Sequence, residues 1–181
     1  TYLTMEAPGM AVPDEDYHRE ISEALAGCLK ELTGENRDRS VLVAGLGNRD
    51  VTPDALGPKT VSNLMITRHL FREYGKETMG MEQASAVSGI APGVMAQTGM
   101  ETSEILQGII DQTSPDILLV IDALAARSTR RLGRTIQLTD TGIQPGSGVG
   151  NHRGSLTKES LGIPVIAIGV PTVVEAAAII Y

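Results

Sequence analysis

The sequence predicts an α/β protein, a mostly parallel sheet sandwiched between helices. Three observations carry that reading. Continuous apolar runs at Val41–Ala44, Ile117–Ile121 and Pro164–Gly169 lack the in-out alternation of a half-solvated strand, so they belong to strands covered on both faces. Stretches of helical period separate these runs. The first run empties into the turn Gly45-Leu46-Gly47-Asn48 and then a helix start, the place where open α/β sheets build their sites.

The elements follow in order. Residues 1–12 carry a proline and a glycine, with Pro13 next, and read as an extended lead-in. Asp14 is placed to cap a helix over 15–33, closed by Thr33-Gly34, with Ile21, Leu25, Cys28, Leu29 and Leu32 on its apolar stripe. A polar linker, 35–40, feeds a strand at 41–45. Thr52-Pro53 opens a second helix, with Thr52 as N-cap and Asp54 in the first turn. That helix is expected to reach Tyr74-Gly75, with Val61, Leu64, Met65 and His69 near one face. A short strand over 84–88 leads into a glycine-rich loop, 89–99. A helix over 101–112 turns Ile105, Leu106, Ile109 and Ile110 inward. Strands at 117–121 and 135–138, a second glycine-rich loop at 142–154, a strand at 164–169 and a helix start at 172–180 complete the series. All of it reads as one domain, 1–181. The apolar ending Ala177-Ala178-Ile179-Ile180-Tyr181 suggests a C-terminally truncated fragment of a longer protein.

The bulk properties exclude several classes. With 41% hydrophobic residues and a mean hydropathy near zero, the chain is long enough to bury a substantial core. A net charge of −7 argues against nucleic-acid binding, which needs a basic face. The basic cluster Arg127, Arg130, Arg131 and Arg134 reads as a solvated turn face, with orientation of an acidic peptide as the alternative. No apolar run is long enough to span a bilayer, and no leader opens the chain, so a cytoplasmic location is expected. The single cysteine, Cys28, excludes an internal disulfide and sits on a packing stripe.

The candidate chemistry rests on two acids. Asp54 lies at a helix start, where free N–H groups favour a carboxylate. Asp122 ends an apolar strand, where desolvation favours the neutral acid. Two such groups in one crevice suit general acid–base hydrolysis of an amide by water. The competing reading makes each an ordinary helix-start or loop-start acid. Backbone N–H groups of Gly47, Asn48 and Gly89 are candidate oxyanion donors. Asp54, Asp122 and His152 form a mixed set that would suit a divalent ion, without any supporting local spacing. His69 is expected half-buried and His18 exposed. The glycine turn lacks the third glycine of a dinucleotide fingerprint and the lysine of a P-loop. A non-catalytic anion-binding domain is therefore the weaker reading. No Gly-x-Ser-x-Gly elbow exists, and Ser147 lies in a loop without a strand before it.

Several stretches resemble one known family in order along nearly the whole chain: 45–58, 92–102, 120–127, 140–151 and 161–172. They are similar to the germination proteases of spore-forming bacteria, which cleave the small acid-soluble proteins that coat spore DNA. The resemblance implies an aspartic-type endopeptidase that starts this degradation during germination. Its implicated acids fall on Asp54 and Asp122. The implied fold is the phosphorylase/hydrolase-like sandwich, shared with hydrogenase-maturation proteases. In those relatives the corresponding acids bind a metal, which keeps a metal alternative open on Asp54 and Asp122. His152 matches no further ligand of that set. The family further implies a zymogen, a homotetramer and chains considerably longer than this one; action in the spore core and no cofactor, with a metal ion as the alternative, are expected.

Overall fold

The computed structural model describes residues 1–36, 38–145 and 154–174. Six strands form one sheet in the order β1-β5-β6-β4-β2-β3: β1 (Tyr2–Glu6), β2 (Ser40–Gly45), β3 (Ala86–Ile90), β4 (Ile117–Ala126), β5 (Thr135–Thr139) and β6 (Val165–Val174). The pairs β3–β2, β2–β4 and β4–β6 are parallel. The strands β5 and β1 join antiparallel at one edge. The mostly parallel α/β sheet expected from the sequence is therefore present, and the lead-in has become its edge strand β1.

Alternation along the central strands divides two cores. Leu42, Ala44, Leu118, Val120 and Val165 point to one face, where they meet Leu106 and Ile110 of α5 (Thr102–Thr113) and Leu161 of α6 (Lys158–Leu161). Val41, Val43, Ile117, Ile121, Ile166 and Ile168 point to the other. There the stripe Ile21, Leu25, Cys28, Leu29 and Leu32 of α1 (Glu15–Thr33) covers them, beside Leu56 and Val61 of α2 (Leu56–Ser62). Cys28 thus packs, as its spacing predicts. The ends of α1 are also as read: Asp14 accepts from the Tyr17 N–H at 3.0 Å, and Gly34 closes the helix at φ +76° by donating to the Lys30 carbonyl. Among the described residues no helix is long and apolar enough to cross a membrane.

Four expectations need correction. The second predicted helix is a 3-10 turn, Thr52–Asp54, then α2, then a separate α3 (Arg68–Tyr74). The break follows from local competition for backbone groups. Thr60, Ser62 and Asn63 side chains donate back to the carbonyls of Leu56, Pro58 and Lys59. Thr67 is then drawn to the outer edge of β3. Its N–H donates to the Val87 carbonyl and its hydroxyl donates to the Ser85 carbonyl while accepting from the Val87 N–H. One threonine thereby covers part of an edge strand that would otherwise present unpaired groups. This geometry leaves Met65 and His69 exposed rather than on an inner face.

Second, β3 starts two residues later than predicted, which places Gly89 inside the strand opposite Val43. Third, β4 runs beyond Ile121 to Ala126, paired with β6 across a bulge between Leu124 and Ala125. Fourth, Thr172–Val174 are the end of β6 and not a helix start; 175–181 lie outside the described residues.

Glycines fix how closely β2 and α2 approach. A Cβ on Gly57 would lie 2.4 Å from the backbone nitrogen of Leu46 and 2.6 Å from the Ile121 carbonyl oxygen. Gly57→Ala is expected to destabilise the fold by about 1–3 kcal/mol through overpacking against backbone. Gly108 on α5 has open space around it, and Gly108→Ala is expected to stabilise by about 0.5–1 kcal/mol. Urea unfolding of both variants measures the contrast.

Candidate functional site

Strand β2 pairs with β4 only as far as Gly45 opposite Ile121. The Leu46 N–H extends the ladder by one bond, donating to the Ile121 carbonyl at 2.8 Å. The chain then peels away through Gly47, at φ +109°, a conformation that favours glycine. It next visits β3 on one side of β2 before returning to β4 on the other. The gap between the carboxyl ends of β2 and β4 is therefore the topological switch point of the sheet.

Asp54 is the last residue of the 3-10 turn that follows this exit. Its Oδ2 accepts the Asn48 N–H at 2.6 Å, and its own N–H donates to the Val51 carbonyl at 2.8 Å. A short bond from a backbone donor to a carboxylate is charge-assisted and directional. Asn48 is itself anchored: its Oδ1 accepts the Asp50 N–H at 3.0 Å and Gln97 Nε2 at 3.3 Å. Gln97 belongs to the short helix α4 (Met95–Thr98). Gly47 touches the same turn, since a Cβ there would lie 2.1 Å from the Asp54 carbonyl oxygen.

Asp122 follows Leu118 and Val120 on the same face of β4 and is only 8% exposed. Its Oδ1 accepts the Ala123 N–H at 2.9 Å. It stands one residue past the last pairing with β2, yet within the β4–β6 ladder opposite Gly169. So it lies at a strand end towards β2 and mid-strand towards β6.

Both acids line one cavity of about 580 Å³, within the usual size range of small-ligand and substrate sites. Val51, Val94, Ile143 and Val173 give it an apolar wall, and Thr102, Gln137, Gln144 and Thr172 contribute polar groups. Among the described lining residues the only charged side chains are the two acids, a poor environment for an anion.

The remaining sequence candidates sort clearly. Gly47 lines the cavity. The Asn48 N–H, expected to serve an oxyanion, is instead engaged by Asp54. Gly89 lies inside β3 with the Val61 and Ile66 side chains 3.1 Å from where its Cβ would be, away from the cavity lining. From the loop that follows, Gly93 and Val94 reach the cavity instead. Arg127, Arg130, Arg131 and Arg134 are exposed around the turn Thr129–Arg131 and do not line it. His18 is exposed, with Nε2 near the Met10 carbonyl. His152 and Ser147 lie outside the described residues. For a metal, the site offers the two carboxylates, and among the described residues no group of three or more His, Cys, Asp or Glu side chains is placed to hold an ion. Sequence reasoning missed Gln97 and Thr172. Their roles depend on which turn each meets, and neither carries a local motif.

The sequence matches the family described as germination protease over residues 1–181. It is 53% identical over 180 residues to a germination protease of Caldanaerobacter subterraneus subsp. tengcongensis, covering 99% of this chain and 55% of that protein. It is 51% identical over 181 residues to a germination protease of Bacillus subtilis, covering 98% of this chain and 49% of that protein. The chain thus spans about half the length of the curated relatives it matches. A [NiFe] hydrogenase maturation protease from Thermococcus kodakarensis aligns in structure with a TM-score of 0.43 at 19% identity, covering 83% of this chain and 88% of that one.

The tightness of the Gly47 turn is testable. Gly47→Ala forces a side chain into a left-handed conformation and against the Asp54 backbone, at an expected cost of about 1–3 kcal/mol. Thermal unfolding of that variant, beside Gly99→Ala, whose Cβ meets nothing within 4 Å at a φ of +71°, compares a positive-φ site that clashes with backbone against one that does not.

Proposed function

Because the chain belongs to the germination protease family, we propose that it carries the catalytic acids of an endopeptidase that begins the degradation of small acid-soluble spore proteins. The observation that supports this most is the shared cavity, into which the β2 exit and strand β4 bring Asp54 and Asp122. One carboxylate takes a proton from water. The other, protonated, hydrogen-bonds the scissile carbonyl and then protonates the leaving amine. Asn48 fixes the direction of Asp54 through its N–H, so the acid meets the water in one orientation. The apolar side chains of Val51, Val94, Ile143 and Val173 receive the peptide beside the scissile bond.

In this reading the water is handled by the carboxylates alone, with no resident metal. Asp54 and Asp122 as metal ligands remain the alternative, with the ion polarising the water. The same reading makes the chain one catalytic domain of a longer protein, synthesised as a zymogen, assembled as a homotetramer and acting in the cytoplasm of the spore core, without contact with nucleic acid or membrane.

Asp54→Asn and Asp122→Asn, each in the complete protein, are expected to lower turnover of a small acid-soluble spore protein by about two to four orders of magnitude. Wild-type turnover in either variant contradicts the two-acid scheme. Incubation with a chelator, followed by metal analysis, is expected to leave activity intact. Loss of activity that a divalent ion restores favours the metal alternative.

A further inference from the structure

The 3-10 turn that carries Asp54 does more than follow β2. It packs against both β4 and β6. At its far side the Thr172 hydroxyl donates to the Pro53 carbonyl at 2.6 Å. Thr172 lies near the end of β6, where β6 is still paired with the part of β4 beyond Asp122. Pro53 immediately precedes Asp54, and its carbonyl belongs to the peptide unit whose N–H, on Asp54, donates to Val51.

We infer that Thr172 is a positioning residue for the proposed reaction: its hydroxyl latches the Pro53–Asp54 peptide to β6 and so sets the distance between Asp54 and Asp122. The inference rests on the two-acid reading given above.

The physical argument concerns which parts of the site are rigid. Asp122 sits inside a ladder bonded to β6, and its place is fixed by the sheet. Asp54 sits on a turn with no place in the sheet. Within that turn its contacts are local, the Asn48 N–H on its carboxylate and the Val51 carbonyl on its own N–H. These hold the shape of the turn, and the glycine contacts at Gly45, Gly47 and Gly57 set how closely its β2 side approaches β4, leaving the β6 side to be fixed. Thr172 supplies a direct bond from the turn to the strand that neighbours Asp122, and it bonds backbone, so it acts on the whole turn rather than on one rotamer. Its hydroxyl is donated to Pro53 and therefore serves as a latch, not as an acid or base. Because a misplacement of about 1 Å can cost about a hundredfold in rate, a latch of this kind bears on turnover more than on substrate affinity.

The test uses Thr172→Val, which keeps the branched shape and removes the donor, and Thr172→Ser, which keeps the donor. Both are made in the complete protein, with Asp54→Asn measured beside them, and rates are normalised to the folded fraction from circular dichroism. Thr172→Val is expected to lower kcat about ten- to a hundredfold with KM changed less than about twofold, and Thr172→Ser to restore kcat to near wild type. A wild-type kcat in Thr172→Val, or a Thr172→Ser variant as slow as Thr172→Val, overturns the latch. If Asp54→Asn is inactive while Thr172→Val is fully active, the latch alone is wrong and the two-acid reading stands. If Asp54→Asn is fully active, both fall.

Discussion

Strand β2 leaves the sheet after Gly45 while its neighbour β4 continues to Ala126, and the cavity exists because of that difference in length. The departure is possible only where backbone can touch backbone. Gly45 and Gly57 lie so close that a Cβ on Gly45 would sit 2.1 Å from the Gly57 carbonyl oxygen. Gly57 in turn rests on Leu46 and on the Ile121 carbonyl. Gly47 then turns in a conformation that side chains resist. These three glycines let the turn bearing Asp54 lie across the end of β4 rather than stand away from it. Any side chain at them would lift the turn from the strand that carries Asp122.

Two acids in one cavity are electrostatically costly unless something holds them or a proton is shared between them. On the Asp54 side the structure supplies a backbone donor at 2.6 Å, steadied by Asn48 contacts to Asp50 and Gln97. On the Asp122 side the Ala123 N–H donates to the carboxyl, and burial limits the help from water. The two environments differ: Asp54 sits on an exit turn and accepts one backbone N–H, and Asp122 is a buried strand residue at the cavity wall.

Much of this was legible in the residues. The strands β2, β4 and β6 announce themselves as unbroken apolar runs, because burial on both faces leaves no polar position to interrupt them. The caps of α1 are local chemistry at Asp14 and Gly34 and need no tertiary knowledge. Asp122 stands out for the same reason, as the first charge after such a run, whereas Asp54 follows Arg49 and Asp50 and is marked by its place behind Thr52-Pro53. What stayed hidden depends on partners far away in sequence. Ala123–Ala126 carry little strand signal of their own and are extended because β6 pairs with them. The helix expected through Tyr74 breaks because Thr67 finds the β3 edge. Asn48 looks like a free oxyanion donor until the turn brings Asp54 onto its N–H. Thr172 reads as a helix start until β6 is seen to run through it.

The central claim is that Asp54 and Asp122 act as one unit on one water molecule. The most direct measurement is a double-mutant cycle in the complete protein, comparing kcat for Asp54→Asn, Asp122→Asn and the pair combined. Groups that serve a single step lose their function together, so the double variant is expected to be no slower than the slower single variant. Losses that multiply would mean that the two acids serve separate steps, and the shared site would no longer explain the activity.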